Sequence, residues 1–344
     1  MLKQSTAIGS LPHTNPEIAT EFIFENLGIA IWPQLPKRSF KENMYVQYSE
    51  GIPFLTTDEE NQKIFFNFDT EEDVTSAVES FYLRIIADDL EYFKISREYA
   101  EGFYEFLKQL EIHKDKKTIP AVKGHIVGPI TFGLKTTDQN NRSIFYDDLF
   151  VDVVVKALTM KARWQIRELS RFIDKDKIII FIDEPYLSAF GSAFTQVSSE
   201  QVIKYISETS DGIHKENALS GVHCCGNTDW SILMDSGVDI ISFDAYNFFD
   251  GMALYPEKLN MFLQKGGILS WGIVPSSDAI NSETADSLVL KFKQDMEYLI
   301  KKGINEEKLK NQYLITPSCG VGSLDEKLAE KIIITTKEVA DKLR

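Results

Sequence analysis

Basic residues are in short supply. The 344-residue chain has 37 Lys and Arg against 52 Asp and Glu, a formal charge of −15. Such a surface repels nucleic-acid phosphates and anionic lipid, so neither is expected as a bulk partner. Long apolar runs are missing too. No window approaches the roughly 18 apolar residues of a membrane span, and a run such as IIIFI is strand-length. The opening residues, MLKQSTAIGSLPHT, hold no apolar core of signal-peptide length. A cytoplasmic protein is the expectation. Cysteine is scarce: Cys224, Cys225 and Cys319 are an odd number and make no secreted disulfide framework. In a reducing compartment, thiols of this kind either bind metal or react.

What remains is an ordinary globular balance, 43% hydrophobic and 26% charged. Short β-branched runs alternate with longer amphipathic stretches. Strands are expected near residues 6–9, 30–33, 119–126, 177–182, 220–224, 239–243, 267–271 and 313–316. Helices are expected over 16–27, 148–172, 199–209, 228–236, 256–264, 279–302 and 324–343. The first of these has Asn15 as cap, Pro16 at its first position and Gly28 as its stop. Eight β-then-α units predict an α/β fold, a (β/α)8 TIM barrel, with a doubly wound open sheet as the alternative. The long stretch between the second and third strands reads as a largely helical insertion, about residues 36–118, with its helical part at 71–110. The expectation is thus one barrel domain over residues 1–344.

Barrel active sites form at the C-terminal ends of the strands. The polar residues of this chain gather there: Gly9-Ser10, Gly128-Pro129, Asp183-Glu184-Pro185, His223-Cys224-Cys225, Asp244, Trp271-Gly272 and Ser318-Cys319-Gly320. Alternate side chains of a strand share a face, so His223 and Cys225 point together and Cys224 points away. Imidazole and thiolate suit Zn²⁺, and Cys319 offers a second thiolate from the eighth strand end. Buried core cysteines are the bland alternative, and Cys224 fits that description. Asp244 is a further candidate ligand, or else an aspartate opening the next loop. The Asp183-Glu184 pair could hold an ammonium group, orient a ligand histidine, or cap a helix or turn.

Five stretches resemble the cobalamin-independent methionine synthase catalytic-domain family, within the superfamily it shares with uroporphyrinogen decarboxylases and methylcobamide:coenzyme M methyltransferases. They are TAIGSLP at 6–12, GPIT at 128–131, IDEP at 182–185, HCCG at 223–226 and PSCG at 317–320. The resemblance implies a (β/α)8 barrel with zinc held by His223, Cys225 and Cys319. It implies a homocysteine-binding loop at Ile8, Gly9 and Ser10, and an amino-group partner at Asp183. Where the family has a zinc-ligating glutamate at the sixth strand end, this chain has the shorter Asp244. Gln47 stands where the family has a second amino-group carboxylate. The segment Ile273-Val274-Pro275-Ser276-Ser277 has no counterpart of the family's catalytic histidine, so no catalytic residue is assigned.

The implied activity is methyl transfer to a small-molecule thiol, homocysteine giving methionine, from a methylcorrinoid or methyl-folate donor. The folate-using synthases carry an additional N-terminal barrel. A single barrel with a charge of −15 favours a corrinoid, carried on a partner protein, over polyanionic folate. Two other readings compete. A decarboxylase of the uroporphyrinogen type would need a basic cleft and no metal, and a metal-binding accessory protein would keep the fold without turnover.

Overall fold

The computed structural model describes residues 3–113, 119–192 and 195–344. Its strands are β1 Ala30–Ile31, β2 Leu55–Asp58, β3 Lys63–Phe66, β4 Val122–Val127, β5 Thr137–Asp138, β6 Ile178–Asp183, β7 Leu219–Cys224, β8 Ile240–Phe243, β9 Ile268–Val274 and β10 Tyr313–Pro317. Among the described residues, seven form one parallel sheet in the order β1-β4-β6-β7-β8-β9-β10. Helices follow the strands and cover one face. Ile178, Ile180 and Ile182 of β6 enter the main core with them. On the other face the sheet curls on itself, and Ile29, Ala121, Ile179, Phe181, Ile240, Ile268 and Leu314 make a separate apolar cluster. The alternation of two buried faces explains why these strands read as continuous apolar runs.

The first expected strand, 6–9, is not an assigned strand. It is held instead by isolated bridges, Ser5 to Ile315 and Ser10 to Gln34. Thr6 N donates to Ile315 O at 2.9 Å, and Ile29 N donates to Ser5 O at 2.9 Å. The segment thus hydrogen-bonds toward both edges of the seven-stranded sheet. β1 is shorter than the expected 30–33, because Pro33 has no N–H to continue the ladder.

The stretch after β1 differs from the expected helical insertion. It opens with two 3-10 turns, Phe40–Glu42 and Val46–Tyr48, and an antiparallel pair, β2 with β3. β5 then joins β3 in a small three-stranded sheet. The helical part is two helices, Val74–Ile86 and Glu101–His113, not one. Asp88, at φ 55°, ends the first without a glycine. The expected far limit of the insertion, Thr118, lies outside the described residues.

Caps decide the other helix boundaries. Asn15 accepts from Glu17 N and Ile18 N, as expected of the first helix, Pro16–Asn26. The helix expected at 279–302 starts later, at Ala285, where Thr284 and Ser287 form a reciprocal capping box. The helix expected to end at 209 runs on to Lys215. Among the described residues no helix is long and apolar enough to cross a membrane.

Candidate metal centre

Asp183 ends β6, His223 is the penultimate residue of β7, and Cys225 lies just beyond β7. Cys319 lies two residues beyond β10. The curl of the sheet brings three of these together. The ligating atoms of His223, Cys225 and Cys319 all lie within 4.8 Å of one another. Cys224 turns into the main core, where burial pushes its thiol up to about 12.

The donor set fits a metal of the zinc type. His223 Nδ1 is 3.0 Å from Ser242 Oγ, while its Nε2 is buried and without a partner. A proton on Nδ1, donated to Ser242, fixes the ring and leaves the Nε2 lone pair facing the two sulfurs. The two thiols are tightly coupled. The hydrogen bond from Cys319 holds Cys225 well below the usual thiol range, and the same contact raises Cys319. One thiolate beside an imidazole is the charge pattern a divalent cation needs.

Cys319 is clamped by Ser276, whose Oγ accepts from Cys319 N at 2.9 Å and donates to Cys319 O at 2.8 Å. Ser276 N in turn donates to Ser318 Oγ at 3.0 Å. The next turn closes against the loop at Ser10. A Cβ on Gly320 would meet Ser10 Oγ at 2.4 Å, so a larger residue there would have to turn the Ser10 side chain away.

A cavity of about 430 Å³ opens beside the three ligands. Ile8, Ser10, Gln34, Met44, Tyr45 and Asp183 are among its walls, whereas Gly9 is not. Asp183 Oδ1 is buried and unpartnered. Burial raises its carboxyl to about 6, against the opposing pull of His223 and Lys123. Lys123 is itself wholly buried below the cavity. It donates to Ile8 O at 2.5 Å and lies 4.1 Å over the Phe181 ring, which ties the loop at Ile8 to the interior of the sheet.

The acidic pair after β6 divides its work. Glu184 accepts from Ile130 N at 3.0 Å and Thr131 N at 2.7 Å, capping helix Pro129–Lys135. Gly128 makes room, since a Cβ there would sit 2.1 Å from the Glu184 carboxyl. Asp244 stands apart from the three ligands. Its two oxygens accept from Asn247 N at 2.9 Å and Asn247 Nδ2 at 2.7 Å, and it caps helix Ala245–Met252.

Gln47 does not line the cavity; Gln34 does. Gln47 Nε2 donates to Tyr99 O at 2.7 Å, and Gln47 Oε1 accepts from Gln34 Nε2 at 2.7 Å. A backbone carbonyl can only accept, so this chain fixes both amides. Gln34 therefore has its oxygen as the free end, a second acceptor in the cavity beside Asp183. Neither Gln34 nor Ser276 carried a signal in the sequence, because each acts through partners brought close by the fold.

No family model matches the sequence, and no curated protein matches it. Solved structures do resemble the chain. A methyltransferase from Methanosarcina mazei aligns with TM-score 0.54 at 17% identity, covering 97% of this chain and 91% of the other. A B12-independent methionine synthase from Shewanella sp. W3-18-1, in complex with selenomethionine, aligns with TM-score 0.58 at 14% identity, covering 99% and 98%. At these identities the likeness is one of fold, a parallel α/β sheet covered by helices.

Proposed function

We propose that this chain is a zinc-dependent methyltransferase that moves a methyl group onto a thiol, with homocysteine as acceptor and methionine as product. One observation carries the reading. An imidazole and two thiols converge on a cavity whose wall holds an unpartnered, buried carboxylate oxygen. In this reading His223, Cys225 and Cys319 hold the ion, and Asp244 joins them only by releasing Asn247. When bound, zinc supplies the positive charge that makes a thiol acidic enough to be a nucleophile at neutral pH.

The protein's own groups bind and aim. Asp183 Oδ1 and Gln34 Oε1 accept from the acceptor's ammonium group, while the loop Ile8, Gly9 and Ser10 offers donors to its carboxylate. Ser242 keeps His223 in one orientation, and Tyr45 and Met44 exclude water from the reacting sulfur. A sulfur–carbon bond forms as the donor's bond to the methyl carbon breaks. The donor keeps the electron pair and the thiol proton leaves.

The donor is a methylcorrinoid or methyl-folate. A corrinoid departs without needing a proton, whereas a folate amine needs one, and residues 273–277 include no histidine to give it. The corrinoid is therefore the favoured donor. In the same reading, residues 4–10 close the sheet as an eighth strand, one barrel spans the chain, and the enzyme works in the cytoplasm.

The test is a methyl-transfer assay on zinc-loaded protein, crossing homocysteine and coenzyme M with methylcobalamin and methyl-folate. Transfer from methylcobalamin to homocysteine is expected. Absence of transfer in every combination contradicts the reading.

A further inference from the structure

Beside the metal cavity lies a second one, of about 580 Å³. The two share Asn43 and Tyr45, so one molecule lying across these residues reaches into both. The walls come from β3, from the turn after β5 and from the 3-10 segment around Phe40. No residue of this cavity was singled out by sequence motifs.

Its electrostatics run against those of the whole chain. Lys63 and Lys135 both line it, and among the described residues neither forms an ion pair. Nearby Lys41, in contrast, is locked between Glu59 and Glu98. The carboxylate in the lining, Asp138, has its Oδ1 held in its own turn, accepting from Asn140 N at 2.8 Å and Arg142 N at 2.9 Å. A protein of charge −15 thus lines this cavity with two lysines, Lys63 standing opposite Asp58 across the β2–β3 pair. Lys63 Nζ rests 4.9 Å over the Phe65 ring, which holds the ammonium against an apolar wall. Gln62 and Asn141, in the lining, adopt φ 50° and 63°. Both lie in tight turns, Gln62 between β2 and β3 and Asn141 after β5.

From this geometry we infer that the second cavity seats the anionic tail of the methyl donor. The inference rests on the methyltransferase reading. The metal cavity, at about 430 Å³, suits an amino-acid thiol and the transferred methyl group, and the bulk of a donor must lie outside it. The two lysines take a carboxylate or phosphate, and the side-chain amides of Asn43, Gln62 and Asn141 take the donor's amide groups. Methyl-folate, through its glutamate carboxylates, and methylcobalamin, through its phosphodiester, share this chemistry.

Equilibrium dialysis of zinc-loaded protein with methylcobalamin and with methyl-tetrahydrofolate triglutamate separates the two sources and needs no turnover. The Lys63→Ala/Lys135→Ala double variant alters two exposed side chains. It should weaken binding of the preferred donor about tenfold and flatten its salt dependence. Zinc content and homocysteine affinity should stay at wild-type levels. Where turnover is measured, the donor KM should rise with kcat nearly unchanged. A Lys204→Ala control, outside the cavity, should change nothing. Unaltered donor affinity in the double variant, or no binding of either donor to wild type, overturns the inference. Loss of zinc or homocysteine binding in wild-type protein would instead count against the methyltransferase reading itself.

Discussion

Along the inner face of the parallel sheet, Ile179, Phe181, Ile240, Ile268 and Leu314 give way to Asp183, His223, Ser242, Ser270 and Thr316 further along the strands, toward their C-terminal ends. The first set packs into a sealed apolar cluster. The second is equally buried yet leaves Asp183 Oδ1 and His223 Nε2 without partners. A buried polar group left unsatisfied costs about 1–3 kcal/mol, so the two ends of one sheet are under opposite pressures. The apolar end stabilises the fold. The polar end gives up stability to keep buried hydrogen-bonding groups unpaired, and Lys123 links the two, between the Phe181 ring and Ile8 O.

Substitutions at each end should separate these roles. The largest effect is expected from Phe181→Ala in the sealed half, a loss of about 3–5 kcal/mol in stability, read by denaturant unfolding. A loss under about 1 kcal/mol there would mean that the inner cluster is not a packed core. Next comes Asp183→Asn in the polar half. It removes a charge-assisted contact of about 1.5–3 kcal/mol from homocysteine binding. Zinc content should hold and the apoprotein should be no less stable, because an unpaired buried carboxylate is gone. Intact homocysteine affinity in this variant argues against Asp183 as the ammonium partner.

Ser242→Ala should lower zinc affinity about 10–100-fold by freeing the His223 ring, as measured by chelator competition. Unchanged affinity would show that the 3.0 Å contact does not orient the imidazole. The smallest effect is expected at Asp244. Asp244→Ala removes a helix cap worth about 1 kcal/mol of stability and should leave the zinc in place. Loss of zinc from that variant would move Asp244 from cap to ligand.

The contrast between the two ends also explains what could be read in the sequence. Strand positions were legible because two-sided burial forces apolar runs such as Ile178–Asp183, and the candidate metal ligands because unusual polar residues interrupt those runs at their ends. Groups whose meaning depends on distant partners were not legible. Glu184 caps a helix 54 residues away in sequence, Ser276 clamps a turn 43 residues on, and Gln34 is fixed through Gln47. The β2–β3 pair was missed for a local reason. Its turn carries Gln62 at positive φ where a glycine would have signalled a hairpin. The break in the expected long helix at Asp88 escaped in the same way.

In the proposed function, His223, Cys225 and Cys319 hold one zinc ion at which a thiol acceptor is activated. Zinc K-edge absorption of protein purified without chelator, recorded before and after addition of homocysteine, tests it most directly. One zinc per chain is expected, with two sulfur ligands and one imidazole nitrogen at about 2.0–2.3 Å, and a sulfur count that rises to three with homocysteine. Metal-free protein, or a sulfur count that homocysteine leaves unchanged, would contradict it.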